Sequence, residues 1–213
     1  MLTVYGRATS SNVQALLWGL EELGLTYQRL DCGETHGGLD TPAFLKMNPH
    51  GKIPILNVGD TALFETAAIL RYLATAYGTD AFWPSDPLAR AEIDMWAEWA
   101  KHDVAERFTG PVFWEAVRKH PENREATLIA KNLARLEIEL AIADDRLAER
   151  PFLCGDTLTL ADIQFGHVLF RYYDIEIERR TFPAVRAYFD RLRARKAYQK
   201  TVMVSYDTLK DTL

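Results

Sequence analysis

Three short segments hold side chains whose types and spacing suit binding and proton chemistry. Thr9-Ser10-Ser11-Asn12 places three hydroxyls and an amide in a row ahead of a helical pattern. Ser and Asn satisfy the orphan N–H groups of a helix start, so plain capping accounts for this segment. The same geometry also offers a hydroxyl donor in the positive field of a helix N-terminus, which stabilises a thiolate. A free thiol has a pKa of roughly 8.5, and lowering it by two units takes about 3 kcal/mol of differential interaction. Lys52-Ile53-Pro54 is the second segment. It reads either as a plain turn or as a cis proline that bends the chain sharply. In the second case the Ile53 N–H and C=O face outward, free to pair with an extended peptide ligand. The third segment is Glu65-Thr66, ahead of Ala67-Ala68-Ile69. Thr66 reads as an N-cap. A helix start also takes a carboxylate, and Glu65 beside it can accept from an amine.

These segments need a scaffold, and hydrophobic periodicity predicts one. Residues 2–6 alternate as a strand, and Val13, Leu16, Leu17, Leu20 and Leu23 recur at helical spacing. Gly24 stands where a helix ends. Residues 26–31 read as a second strand, so the β-α-β order implies a parallel pair. A polar loop from Gly33 to Gly38 and a short helix over Pro42 to Met47 follow. Two strands, about 54–58 and 61–64, flank a Gly59-Asp60 hairpin turn, and a helix covers 66–77. Gly78, Pro84, Asp86 and Pro87 mark a linker. Everything after it reads as helix. Ile93, Trp96, Ala97, Ala100 and Val104 mark one long helix, which Gly110-Pro111 is expected to kink or break. Ile129, Leu133, Leu136, Leu140 and Leu147 mark the next, and further helices lie near 160–172 and 183–193.

Composition narrows the function classes. The chain has 213 residues, 48% of them hydrophobic, enough to bury a core without disulfide staples. A formal net charge of −5 without basic runs argues against nucleic acid and anionic membranes as partners. No apolar run approaches a membrane span. The chain enters its first strand at once, without a leader pattern. Cys32 and Cys154 form no CxxC pair, which suggests reduced thiols in a cytoplasmic protein. The five histidines show no zinc-ligand spacing, so no metal is expected.

Taken in order, the three segments resemble those of the soluble glutathione transferases. Glu21-Glu22-Leu23-Gly24-Leu25 looks like that family's first-helix ending. Asn48-Pro49-His50-Gly51-Lys52-Ile53-Pro54 and Glu65-Thr66-Ala67-Ala68-Ile69-Leu70-Arg71-Tyr72-Leu73 are similar to its NPxGxxP and ES-containing segments. Thr159-Leu160-Ala161-Asp162-Ile163 looks like the capping box of a buried helix, with Asp in place of Glu or Gln. The resemblance implies a thioredoxin-like α/β domain over residues 1–77 (βαβ-α-ββα), a linker over 78–87 and an all-α domain over 88–213. It implies glutathione as co-substrate, a small hydrophobic electrophile as second substrate, and a homodimer.

Roles follow from the same resemblance. Ser10 aligns with the catalytic hydroxyl of serine-type members, with Ser11 or Asn12 assisting or replacing it. The Ile53 backbone, before Pro54, would pair with the cysteinyl unit. Glu65 and Thr66 would hold the γ-glutamyl group. Lys52, and after it His50 or His36, would face the glycine carboxylate. Arg107, Phe108, Val112 and Trp114 would wall the electrophile pocket, or serve as core. Tyr5, near the tyrosine of other members, reads as strand core. Ala15 stands where the family often carries Lys or Arg, and no thiol occupies the Ser10 position, as it does in cysteine-type relatives. Dehalogenation, isomerisation, peroxide reduction and a non-catalytic scaffold role are the alternatives.

Overall fold

The computed structural model describes residues 1–213. Its first part is a four-stranded sheet in the order β2-β1-β3-β4. Strand β1 (Leu2–Tyr5) pairs in parallel with β2 (Tyr27–Leu30) across helix α1 (Ser11–Glu22). It also pairs antiparallel with β3 (Ile55–Val58), which continues through a hairpin into β4 (Thr61–Phe64). Helix α2 (Pro42–Met47) precedes β3, and α3 (Thr66–Tyr77) follows β4. Alternation buries Leu2 and Val4 on one face of β1, which is why this short strand keeps its register.

Helix α4 (Pro87–Trp99) opens the helical part, capped by the Asp86 carboxylate accepting from Ala89 N–H at 2.8 Å. The chain does not break at Gly110-Pro111. It runs on as a wide π-helix over Ala100–Ala105, one α-turn (α5, Glu106–Phe108), and a second π stretch over Thr109–Arg118. Proline lacks an N–H and crowds the carbonyl one turn back, and a π-turn accommodates both without ending the helix. Then come α6 (Ala126–Ala148), α7 (Leu160–Gly166), α8 (Leu169–Asp174), α9 (Pro183–Arg193) and α10 (Lys196–Thr201), the last of which periodicity did not reveal.

One apolar core of 48 buried residues runs through both parts. Helix α1 is its axis. It packs on α3 behind the sheet and on α7 and α10 of the helical part. Trp18 is fully buried there, its indole edge-on to Tyr198 at 4.8 Å. A side chain at Gly166 would stand 2.9 Å from the Trp18 ring, so α7 reaches α1 only through a glycine.

Candidate active site

Sheet register brings the three chemically loaded segments to one edge. Tyr5 pairs with Ile55, and Ile55 with Phe64. The chain leaving β1 at Gly6, entering β3 at Ile53-Pro54 and leaving β4 at Glu65 therefore shares one end of the sheet. A Cβ at Gly6 would stand 2.5 Å from Val13 Cγ2 and 3.3 Å from Ile53 Cβ, and Gly6 has φ +150. Only glycine lets these strands close so tightly on the start of α1.

Ser10 is the N-cap of α1, with φ −81 and ψ 125. Its Oγ accepts from Val13 N–H at 3.5 Å, a long bond that leaves the hydroxyl proton unassigned within the chain. Ser10 is half-buried, whereas Ser11 is 8% exposed and turned into the protein. Asn12 is half-buried, and its Oδ1 accepts from Lys101 Nζ at 2.9 Å. That ammonium comes from the π stretch of the helical part. Burial pulls its pKa down, opposed by the charges of Glu106, Glu65 and Glu98. Behind the loop, buried Gln14 donates to Ala8 C=O at 3.0 Å, and Arg171 donates to Thr9 C=O at 2.7 Å. Two basic residues from the helical part thus hold the Thr9–Asn12 turn.

The Ile53-Pro54 peptide is cis. Neither the N–H nor the C=O of Ile53 has a hydrogen-bond partner within the chain. Asn48, 3% exposed, clamps this entry: its Nδ2 donates to Lys52 C=O at 2.8 Å and its Oδ1 accepts from His50 N–H at 3.0 Å. Lys52, His50 and His36 are exposed. The His50 ring lies 6.0 Å from Phe64, and His36 sits on the 3-10 turn Glu34–His36.

Thr66 does not cap α3, as its residue type suggested. Glu65 is the N-cap, in the left-handed half of backbone space at φ 69, and no side chain caps the helix. Thr66 is its first residue, buried at 4% exposure. The first backbone acceptance into the helix is Ile69 N–H to Glu65 C=O at 2.9 Å, so the earlier N–H groups point outward.

The expected pocket wall needs correction. Phe108 and Val112 are 1% and 0% exposed and belong to the core. Arg107 turns to Asp103, at 2.5 Å, and towards Glu139. For Phe108 and Val112 this is the alternative of core packing. Of the four, only Trp114 is exposed, with Arg118 stacked on its ring at 5.2 Å. A cavity of about 810 Å³ lies instead between the β1–α1 loop, the Glu34–His36 turn and the chain's end, lined by Arg7, Thr9, Glu34, His36 and Thr212 among others.

Sequence reasoning missed Lys101, Arg171, Arg118 and Arg7. Arg171 carried a signal, since it interrupts the apolar run Val168-Leu169-Phe170 and Tyr172-Tyr173. The free thiols are poor nucleophiles: burial pushes Cys154 up to about 12, and burial followed by Asp31 raises Cys32. No group of three or more His, Cys, Asp or Glu side chains is arranged to hold a metal ion.

Residues 1–75 match the model of the glutathione S-transferase N-terminal domain, and residues 107–196 that of the C-terminal domain. The chain is 32% identical to glutathione S-transferase GstB of Escherichia coli (strain K12), over 96% of this chain and 99% of that one. It is 34% identical to glutathione S-transferase 3 of Zea mays, covering 94% and 93%. The theta class glutathione S-transferase from Xanthomonas axonopodis pv. citri, solved with glutathione bound, superposes with a TM-score of 0.90 at 39% identity, covering 96% and 98%.

Proposed function

The chain belongs to the glutathione S-transferase family, and from that premise we propose that Ser10 is the residue that activates the glutathione thiol. The protein is a glutathione transferase with glutathione as co-substrate. The observation that carries the reading of Ser10 is its placement. It is a half-buried hydroxyl at the start of α1 with its proton free, at the same sheet edge as the unpaired Ile53 backbone and the open start of α3. These features match three parts of the tripeptide. The Ser10 O–H donates to the sulfur, and the field of the helix start adds to it. The Ile53 N–H and C=O pair with the cysteinyl unit as a short strand. The N–H groups at Thr66 take the γ-glutamyl carboxylate while Glu65 accepts from its amine. Lys52, His50 and His36, exposed at the rim, face the glycine carboxylate. Asn12, oriented by Lys101, assists at the sulfur.

The chemistry is stabilisation of a bound nucleophile. The thiolate attacks an electrophilic carbon, and no covalent enzyme intermediate forms. Ser10→Ala is expected to raise the pKa of bound glutathione by one to two units and to cut kcat at neutral pH by about tenfold or more. Thiolate absorbance near 240 nm, titrated on the complex, measures the first effect directly. Unchanged titration and turnover in both Ser10→Ala and Ser11→Ala would remove the hydroxyl mechanism.

The same reading includes a cytoplasmic homodimer. Two free cysteines support the compartment. No helix is long and apolar enough to cross a membrane. Leu88 and Met95, two turns apart on α4, are 81% and 59% exposed, as an apolar strip awaiting a second subunit would be. Light scattering at twice the 24.3 kDa chain mass is the expected result.

A further inference from the structure

Three guanidinium groups meet beside the β1–α1 loop, and a single carboxylate, Glu34, pairs with two of them. Arg7 donates to Thr9 Oγ1 at 2.9 Å and pairs with Glu34 at 3.0 Å. Arg118 pairs with the same Glu34 oxygen at 3.0 Å, and its Nε donates to Thr212 Oγ1 at 3.3 Å. Arg171 donates to Thr9 C=O and lies over the rings of Phe113, at 4.7 Å, and Tyr206, at 5.6 Å. Arg118 and Arg171 are 4% and 3% exposed. The Nε groups of Arg7 and Arg171 are buried without a hydrogen-bond partner. Two other carboxylates nearby have cationic partners of their own: Asp31 pairs with Arg29, and Asp211 with Arg124.

Guanidinium groups do not lose their protons, and a buried excess of them is costly unless an anion compensates it. One carboxylate against three cations leaves that excess in place. Of the three, Arg7 lines the 810 Å³ cavity, whose wall also includes Thr9, one residue from Ser10. Planar guanidinium forks suit a carboxylate, because they meet both of its oxygens.

We propose that the second-substrate site takes small electrophiles bearing a carboxylate, which docks against Arg7 in the positive field of the buried Arg118 and Arg171 while the reactive carbon faces the glutathione sulfur. This rests on the reading of Ser10 as the sulfur's partner. Chloroacetate illustrates the step. The thiolate forms an S–C bond to the methylene carbon, the C–Cl bond breaks, and chloride leaves with the bonding pair. The carboxylate is unchanged, and nothing is oxidised or reduced.

The test compares two reaction products that differ by one charge, S-carboxymethylglutathione and its neutral amide S-carbamoylmethylglutathione, with glutathione as reference, by titration calorimetry. The carboxylate product is expected to bind about tenfold or more tightly than the amide, the weight of one charge-assisted hydrogen bond. Arg7→Gln is expected to shrink that ratio, and Glu34→Gln, which removes the competing carboxylate, to enlarge it. The ratio of kcat/KM for chloroacetate over chloroacetamide, each divided by its uncatalysed rate constant, should move the same way. Equal binding of the two products, with glutathione still bound, overturns this proposal alone, as does a ratio that Arg7→Gln leaves unchanged. Failure of glutathione itself to bind overturns the Ser10 reading and this one with it.

Discussion

The Oγ of Ser10 accepts a cap bond of 3.5 Å from Val13 N–H, and a hydroxyl that accepts still has its proton to give. Capping and thiol activation are therefore compatible at one atom, and the cap holds the donor at the helix start. Asn12 next to it depends on a residue far along the chain. Lys101 Nζ donates to Asn12 Oδ1, which orients the amide and leaves its NH2 available to the sulfur. Lys101→Met removes a charge-assisted bond of about 1.5–3 kcal/mol. The expected outcome is a fall of tenfold or more in kcat/KM for glutathione, with an unchanged far-UV spectrum. Wild-type kinetics in that variant would mean that Asn12 is not ordered by Lys101.

Two elements carry features of their own. Helix α3 starts at Glu65, whose φ of 69 strains a non-glycine backbone by about 1–3 kcal/mol. Glu65→Gly relieves that strain and also frees the unfolded chain, so stability should stay within about 1 kcal/mol. The same change deletes the acceptor assigned to the glutathione amine, so the KM for glutathione should rise about tenfold. A thermal melt together with a glutathione saturation curve separates the two effects. Helix α7 starts on a buried carboxylate. Asp162 is 0% exposed and accepts from Thr159 N–H at 2.8 Å and from Leu153 N–H, Thr159 O–H and Tyr188 O–H, each at 3.0 Å. Asp162→Ala leaves these donors unpaired inside the core, at a cost of about 3–5 kcal/mol. A large drop in the urea midpoint is expected. This box was legible because its spacing is local. The path of the chain through Gly110-Pro111 was not, because nothing in the local sequence separates a broken helix from one widened into π-turns.

At the scale of the whole molecule, the helical part grips the sheet part through polar contacts around one core. Arg195 pairs with Glu22 through two bonds of 2.7 and 2.6 Å, and Arg171, Lys101 and Arg118 reach the β1–α1 loop or the Glu34 turn. His167, between α7 and α8, is 1% exposed. Burial pushes its imidazole down to about 3, and the Lys101 and Arg171 charges act in the same direction. The folded pKa thus lies below the ordinary value of 6.5, so the stability due to the neutral ring is complete above pH 6.5. Below that pH the unfolded chain binds a proton that the folded one refuses, and about 1.4 kcal/mol is lost per pH unit down towards pH 3. Urea midpoints measured at pH 7.5 and 5 should fall in the wild type, and His167→Gln should flatten the slope over that window.

At Pro54 the sequence left a plain turn and a cis proline both open. The strands and the first three helices were readable from spacing, because each rests on contacts within a few residues, and the family from the resemblance of short segments. Ser10, Ile53, Glu65 and Thr66 were named for the same reason. Tertiary structure alone decided three further matters. It put Glu65 rather than Thr66 at the helix cap, because the turn out of β4 sets the backbone there. It placed Phe108 and Val112 in the core, the alternative that the sequence had left open for them. It brought Lys101 to Asn12, 89 residues apart, and Arg171 to Thr9, 162 apart. Charges on distant helices meet only after the core has closed, and no local pattern in the chain records which of them will face the loop at Ser10.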